Sequence, residues 1–137
     1  MKILIAEDDR VNRTFLKEFM SAYGECDLAI DGVDALDYCM AAWKNNEPYD
    51  LLCLDVMMPK ADGLKVLKVI RAIEAQQQIP VENRLRIMVM TALADVSYVD
   101  EAFKLGCDAY ATKPIDTEKV NEVIQNLGFE PVKNSEL

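Results

Sequence analysis

Three uninterrupted apolar runs, Ile3-Leu4-Ile5-Ala6, Leu51-Leu52-Cys53-Leu54 and Ile87-Met88-Val89-Met90, constrain this sequence more than any other feature. A strand with one solvated face alternates apolar and polar residues, whereas a strand covered on both faces of a parallel sheet is apolar throughout. Two weaker segments, Cys26-Asp27-Leu28-Ala29-Ile30 and Asp108-Ala109-Tyr110-Ala111-Thr112, keep the same rhythm. A helical pattern follows each. Val11, Phe15 and Phe19 recur every four residues and predict an apolar stripe on the first helix, while Val120, Val123, Ile124 and Leu127 do the same for the last. Gly24, Gly106 and Gly128 stand where a left-handed residue closes a helix. Asp9 and Asp116 stand where a side chain caps the next one. Five strand–helix repeats predict a single α/β domain, three-layered and doubly wound with right-handed crossovers. It is expected over residues 1–128, with a frayed C-terminal tail over 129–137. The polar, Pro-broken stretch from Gln76 to Arg84 predicts a surface loop.

The chain contains no histidine. That excludes Ser-His-Asp and Cys-His nucleophile pairs, His-containing zinc sites and the role of histidine phosphodonor in a relay. Fifteen basic residues against 24 acidic ones leave a net charge of −9. Such a surface repels phosphate backbones and anionic lipid, so no direct nucleic-acid or membrane partner is expected. Cys26, Cys39, Cys53 and Cys107 form no C-x-x-C pair and read as small buried hydrophobes of a reducing compartment. No apolar run approaches the ~18 residues of a membrane span. A cytoplasmic location is expected.

In an open parallel sheet, function gathers beyond the carboxyl ends of the strands. Those ends carry Glu7-Asp8-Asp9, Asp31-Gly32, Asp55, Thr91 and Thr112-Lys113-Pro114. Adjacent central strands bring Glu7, Asp8 and Asp55 together, and two like charges about 5 Å apart repel by roughly 3 kcal/mol at an effective dielectric of about 20. A hard divalent ion with oxygen ligands neutralises such a group, and Mg²⁺ suits a site with few carboxylates and retained waters. Lys113 adds a point charge for an anionic oxygen, and Thr91 adds a hydroxyl. Mg²⁺, a lysine and a hydroxyl around one carboxylate make a phosphoryl-transfer site, because that reaction needs charge neutralisation and positioning above all. An aspartate can itself be the nucleophile. The Lys113-Pro114 bond is a candidate cis peptide that would aim the lysine inward.

These motifs resemble the response-regulator receiver domain of two-component signalling. The likeness rests on Ile3 to Asp9, on Leu51 to Pro59 with Asp62-Gly63, on Met88 to Ala92 and on Tyr110 to Pro114. It implies a flavodoxin-like fold with a sheet of strand order 2-1-3-4-5, and a regulatory phosphoacceptor, not an enzyme in the ordinary sense. By the resemblance Asp55 is the phosphoacceptor. Asp8 and Asp55 bind Mg²⁺ directly, Glu7 acts through water, and the backbone carbonyl of Met57 completes the protein ligands. Thr91 and Lys113 hold phosphoryl oxygens, and Thr91 and Tyr110 form the switch. The resemblance further implies a sensor histidine kinase or a histidine phosphotransfer protein as donor. A downstream protein target would read the face of the fourth helix, fifth strand and fifth helix, through which a homodimer is also conceivable. On the fourth helix, Tyr98, Ala102 and Leu105 share one stripe, open to reading as partner-facing or as plain packing, and Val96, Val99 and Phe103 share another, read as core. Met57 and Leu93, two residues past Asp55 and Thr91, are apolar and unable to orient a water, so a long-lived phospho-form is expected.

Two rivals share the sheet. A Mg²⁺-dependent phosphatase of the haloacid-dehalogenase type would want Asp-x-Asp after the first strand, where this chain has the adjacent run Glu7-Asp8-Asp9. A flavodoxin-like cofactor module would want a Ser/Thr/Gly-rich phosphate loop there, and an acidic loop repels a flavin phosphate.

Overall fold

The computed structural model describes residues 1–56, 63–92 and 96–132, with the side chain of Val96 left out. Five strands, β1 (Lys2–Ala6), β2 (Glu25–Ala29), β3 (Leu51–Asp55), β4 (Arg86–Thr91) and β5 (Ala109–Thr112), form one sheet of order β2-β1-β3-β4-β5. All four pairings are parallel, as the apolar runs require. The helices between and after them are α1 (Arg10–Met20), α2 (Gly32–Lys44), α3 (Gly63–Gln76), α4 (Val96–Lys104) and α5 (Thr117–Asn126). The three long apolar runs are buried on both faces. Leu4, Leu52, Leu54 and Ile87 pack under α2 and α3, while Ile3, Ile5, Cys53 and Met88 pack under α1 and α5. No helix among the described residues is long and apolar enough to cross a membrane.

Several local expectations are corrected. On α1 it is Leu16 and Met20 that are buried, whereas Val11 is 74% and Phe15 42% exposed. Phe19 packs against the core, but the face that meets the sheet is centred on Leu16 and Met20, one residue or about 100° round the helix from Phe15 and Phe19. On α4 the packing alternative holds for the first stripe, Val99 of the second is half-buried, and the Val96 side chain lies outside the described residues. Ala102 is buried, Tyr98 and Leu105 pack beside it on the core, and Phe103 faces outward. Gly106 and Gly128 have positive φ, but Gly24 does not. Gly24 is needed for close approach instead, since a Cβ there would lie 2.1 Å from the carbonyl oxygen of Met1. Asp9 takes the N-cap position of α1 without a side-chain cap bond, whereas Asp116 accepts from the amides of Glu118 and Lys119.

The segment from Gln76 to Arg84 holds a short 3-10 turn over Val81–Asn83 and lies at the surface. Past α5, Phe129 packs on the core and the Val132 amide donates to the Ala22 carbonyl at 2.7 Å, so the start of the tail is docked. Cys39, Cys53 and Cys107 are buried, Cys26 is half-buried, and all four are free thiols.

Candidate functional site

The register aligns the chemistry. Asp55, the last residue of β3, lies opposite Met90, so Thr91 follows directly at the same edge, and Thr91 pairs with Thr112. The Lys113 amide donates to the Thr91 carbonyl at 2.8 Å, which carries the fifth strand's line on to Lys113. The peptide that follows, Lys113-Pro114, is cis. From β1 the chain runs into Glu7, whose amide donates to the Ala29 carbonyl of β2 at 3.1 Å.

The side chains then converge. Glu7 is fully buried, Asp55 is 2% exposed and Thr91 1% exposed. The Lys113 ammonium donates to Glu7 Oε1 at 2.5 Å and to Asp55 Oδ2 at 3.0 Å, bridging two strands that are not neighbours of its own. One carboxylate oxygen from each of Glu7, Asp8 and Asp55 lies within 4.8 Å of the others. Burial pushes the Glu7 carboxyl up to about 7, with the Asp55 carboxylate adding to the shift and Lys113 opposing it. For Lys113, burial lowers proton affinity, but the hydrogen bonds to Glu7 and Asp55 outweigh it and raise the ammonium pKa. The lysine is therefore firmly charged, and the cluster remains short of positive charge.

The expected residues Glu7, Asp8, Asp55, Thr91 and Lys113 thus stand at one edge. Tyr110 does not point into it. The ring is 42% exposed and meets Phe103 edge-on, with ring centres 6.0 Å apart. Met57 and Leu93 lie outside the described residues. One residue was missed by sequence reading: Arg13, whose guanidinium donates to the carbonyls of Glu7 at 3.0 Å and Asp8 at 3.2 Å. It clamps the backbone of the acidic loop from one turn into α1. A basic residue so placed has no distinctive spacing, so nothing in the sequence marks it. A cleft of about 470 Å³ lined by Asn12, Phe15, Ala92, Lys113, Pro114 and Ile115 opens beside the lysine.

A doubly wound sheet of this order, with a lysine-bridged acidic crevice at its carboxyl edge, defines a flavodoxin-like α/β domain. The response regulator receiver domain matches residues 3–125, and the chain belongs to that family, a regulatory phosphoacceptor domain of two-component systems. Among solved structures, the CheX-CheY-BeF3-Mg complex of Borrelia burgdorferi is similar with a TM-score of 0.77 and 23% identity over 95% of this chain and 90% of that one, which shows the fold. A response regulator from Chloroflexus aurantiacus is similar at 28% identity with a TM-score of 0.73, covering 92% of this chain and 95% of that one. Curated relatives include Histidine kinase 5 of Arabidopsis thaliana, 33% identical over 90% of this chain, and Response regulator MprA of a Mycobacterium strain, 37% identical over 88%. The chain spans only 15% and 47% of those two relatives. The family assignment gives no support to the haloacid-dehalogenase reading, whose nucleophile stands after the first strand.

Proposed function

We propose that Asp55 accepts a phosphoryl group and that the resulting charge switches the binding surface of the domain. The observation that carries this reading is the Lys113 ammonium bridging Asp55 and Glu7 in a crevice where three carboxylates crowd within 4.8 Å. Two buried acids with a third, exposed one this close favour a cation, and their all-oxygen donor set fits Mg²⁺. Asp8 and Asp55 would hold the ion directly, Glu7 through water, and the Met57 carbonyl, outside the described residues, would complete the set. When bound, Mg²⁺ supplies charge neutralisation on the phosphoryl oxygens.

The chain's own residues do the rest. A carboxylate oxygen of Asp55 attacks phosphorus of a phosphohistidine, forming the O–P bond as the P–N bond breaks and the imidazole nitrogen leaves with the electron pair. Lys113 is already within ion-pair distance of the attacking group and holds an equatorial oxygen. Thr91, next along the edge, donates its hydroxyl to another. The relatives named histidine kinases support a histidine kinase or phosphotransfer protein as donor. The exposed Phe15, which lines the cleft, and Val11, one turn before it on α1, give such a partner an apolar footing.

Phosphorylation adds about −1.5 to −2 charge at Asp55. Inverting a 99:1 equilibrium takes about 5.5 kcal/mol, and a few charge-assisted hydrogen bonds of about 1.5–3 kcal/mol each reach it. Drawing Thr91 inward frees space along β4–β5 into which Tyr110 can turn, leaving Phe103 and repacking the α4-β5-α5 face.

Intact-mass analysis after acetyl phosphate treatment tests the assignment. One phosphoryl adduct is expected on the wild type with Mg²⁺, and none with a chelator or in Asp55→Asn. An adduct that persists in Asp55→Asn refutes it. The domain promotes its own loss of phosphate only slowly, because Met57 and Leu93 are apolar residue types. The adduct should outlast minutes in Mg²⁺ buffer without a phosphatase, and decay within seconds would contradict this.

A further inference from the structure

At the opposite end of the sheet, on the order of 15 Å of strand away from Asp55, the acidic surface is interrupted by two arginines. Arg84 closes the 3-10 turn and Arg86 opens β4. Both are half-buried, and both line a cavity of about 410 Å³. Among the described residues neither forms an ion pair, and the Arg86 side chain forms no hydrogen bond. In a chain of net charge −9, two guanidinium groups left partly desolvated and without a carboxylate are costly unless something else satisfies them.

The surroundings hold the Arg84 side chain and the Arg86 backbone in place. The Nε of Arg84 donates to the Ile79 carbonyl at 3.0 Å, which fixes the plane and leaves the terminal nitrogens unbonded. Backbone bonds anchor Arg86, whose amide donates to the Asp50 carbonyl at 3.1 Å. Two acids share the lining. Asp50 is engaged through Oδ2 with the Lys2 amide at 2.8 Å, and Glu82 is exposed to solvent. The apolar part of the lining is the half-buried Leu127 and Phe129 and the largely buried Tyr49, over whose ring the Lys2 ammonium sits at 4.5 Å.

We infer that this cavity is a second ligand site, independent of phosphotransfer, for a small organic anion: a phosphate or carboxylate group carried on an apolar or aromatic body. The forked guanidinium groups match the oxyanion, and Leu127, Phe129 and Tyr49 cover the body. Glu82, Asn83 and Arg84, at the end of the Gln76–Arg84 segment, form part of its lining.

Phenyl phosphate is the probe, titrated into Asp55→Asn protein with chelator so that the phosphorylation edge contributes nothing, and with ionic strength matched by sodium chloride. Arginine Nε–H resonances report directly. Saturable shifts at Arg84 and Arg86 are expected with a Kd of about 1 mM or tighter, weaker for inorganic phosphate, which lacks the apolar body. Arg86→Gln should weaken binding about tenfold at unchanged unfolding midpoint. Arg86→Lys should recover only part, since the charge returns without the fork. Arg84→Gln provides the same loss through the other guanidinium. Shifts that stay linear, that match the sodium chloride control, or that survive both glutamine variants overturn the proposal.

Discussion

Arg71→Ala lowers the free energy of unfolding by about 3–5 kcal/mol, read as a lower urea midpoint at an unchanged m-value. Arg71 of α3 is a hub. Its Nη1 donates to Glu74 Oε1 and to the Leu85 carbonyl, both at 2.7 Å, its Nη2 to Asp108 Oδ2 at 2.8 Å, and its Nε to the Gly106 carbonyl at 2.9 Å. Glu74 is fully buried and also accepts from the Leu85 amide at 2.8 Å, and Asp108 Oδ2 accepts from the Ile87 amide at 2.8 Å. The network thus ties α3 to the entry of β4 and to the turn before β5. Removing the guanidinium strands the Glu74 carboxylate in the interior, which is the costly way to break a buried pair. Arg71→Met with Glu74→Leu should recover part of the loss, because it removes the buried Glu74 charge while the Leu85 and Gly106 backbone groups and the partly exposed Asp108 still lose their partners. A loss under about 1 kcal/mol for Arg71→Ala would mean that the pair is screened like a surface ion pair.

That hub was invisible in the sequence, and the reason is physical. Apart from the i,i+3 pair with Glu74, its bonds join residues 14, 35 and 37 positions apart, so no local period carries them. The sheet was legible because a strand buried on both faces must be apolar at every position, and Leu51 to Leu54 and Ile87 to Met90 obey that rule without help from context. The acidic edge was legible for a related reason. Parallel strands end together, so Glu7, Asp55, Thr91 and Lys113 are collected by topology alone. Helix faces were read less well. On α1, Phe15, Leu16, Phe19 and Met20 offer two apolar faces, and only packing against the sheet selects Leu16 and Met20. On α4 the same ambiguity resolves in favour of Tyr98, Ala102 and Leu105, leaving Phe103 to meet Tyr110 at the surface.

The charges of the crevice make Asp55→Asn and Lys113→Ala act in opposite directions on the metal-free protein. Asp55→Asn should stabilise it by about 1–2 kcal/mol, since the carboxylates of Glu7 and Asp8 lie within 4.8 Å of Asp55 oxygen, a separation at which like charges repel by roughly 3 kcal/mol at an effective dielectric near 20. The net gain is smaller than the repulsion because the lost charge also took part in the Lys113 ion pair. Lys113→Ala should cost about 2–3 kcal/mol. It leaves Glu7 and Asp55 buried without their cation, and the cost stays below that of an isolated buried charge because Glu7, already pushed up to about 7, relieves it by taking a proton. In the double variant the Lys113→Ala loss should shrink by about 1 kcal/mol or more, the coupling that two groups in direct contact show. Urea unfolding in the presence of a chelator measures all four corners of this cycle. Strict additivity, or an Asp55→Asn protein less stable than the wild type, would mean that the three carboxylates do not share one electrostatic site. The same cycle repeated with Mg²⁺ should narrow the gap between Asp55→Asn and the wild type, because an ion that binds only the folded carboxylate cluster stabilises the form that keeps all its ligands.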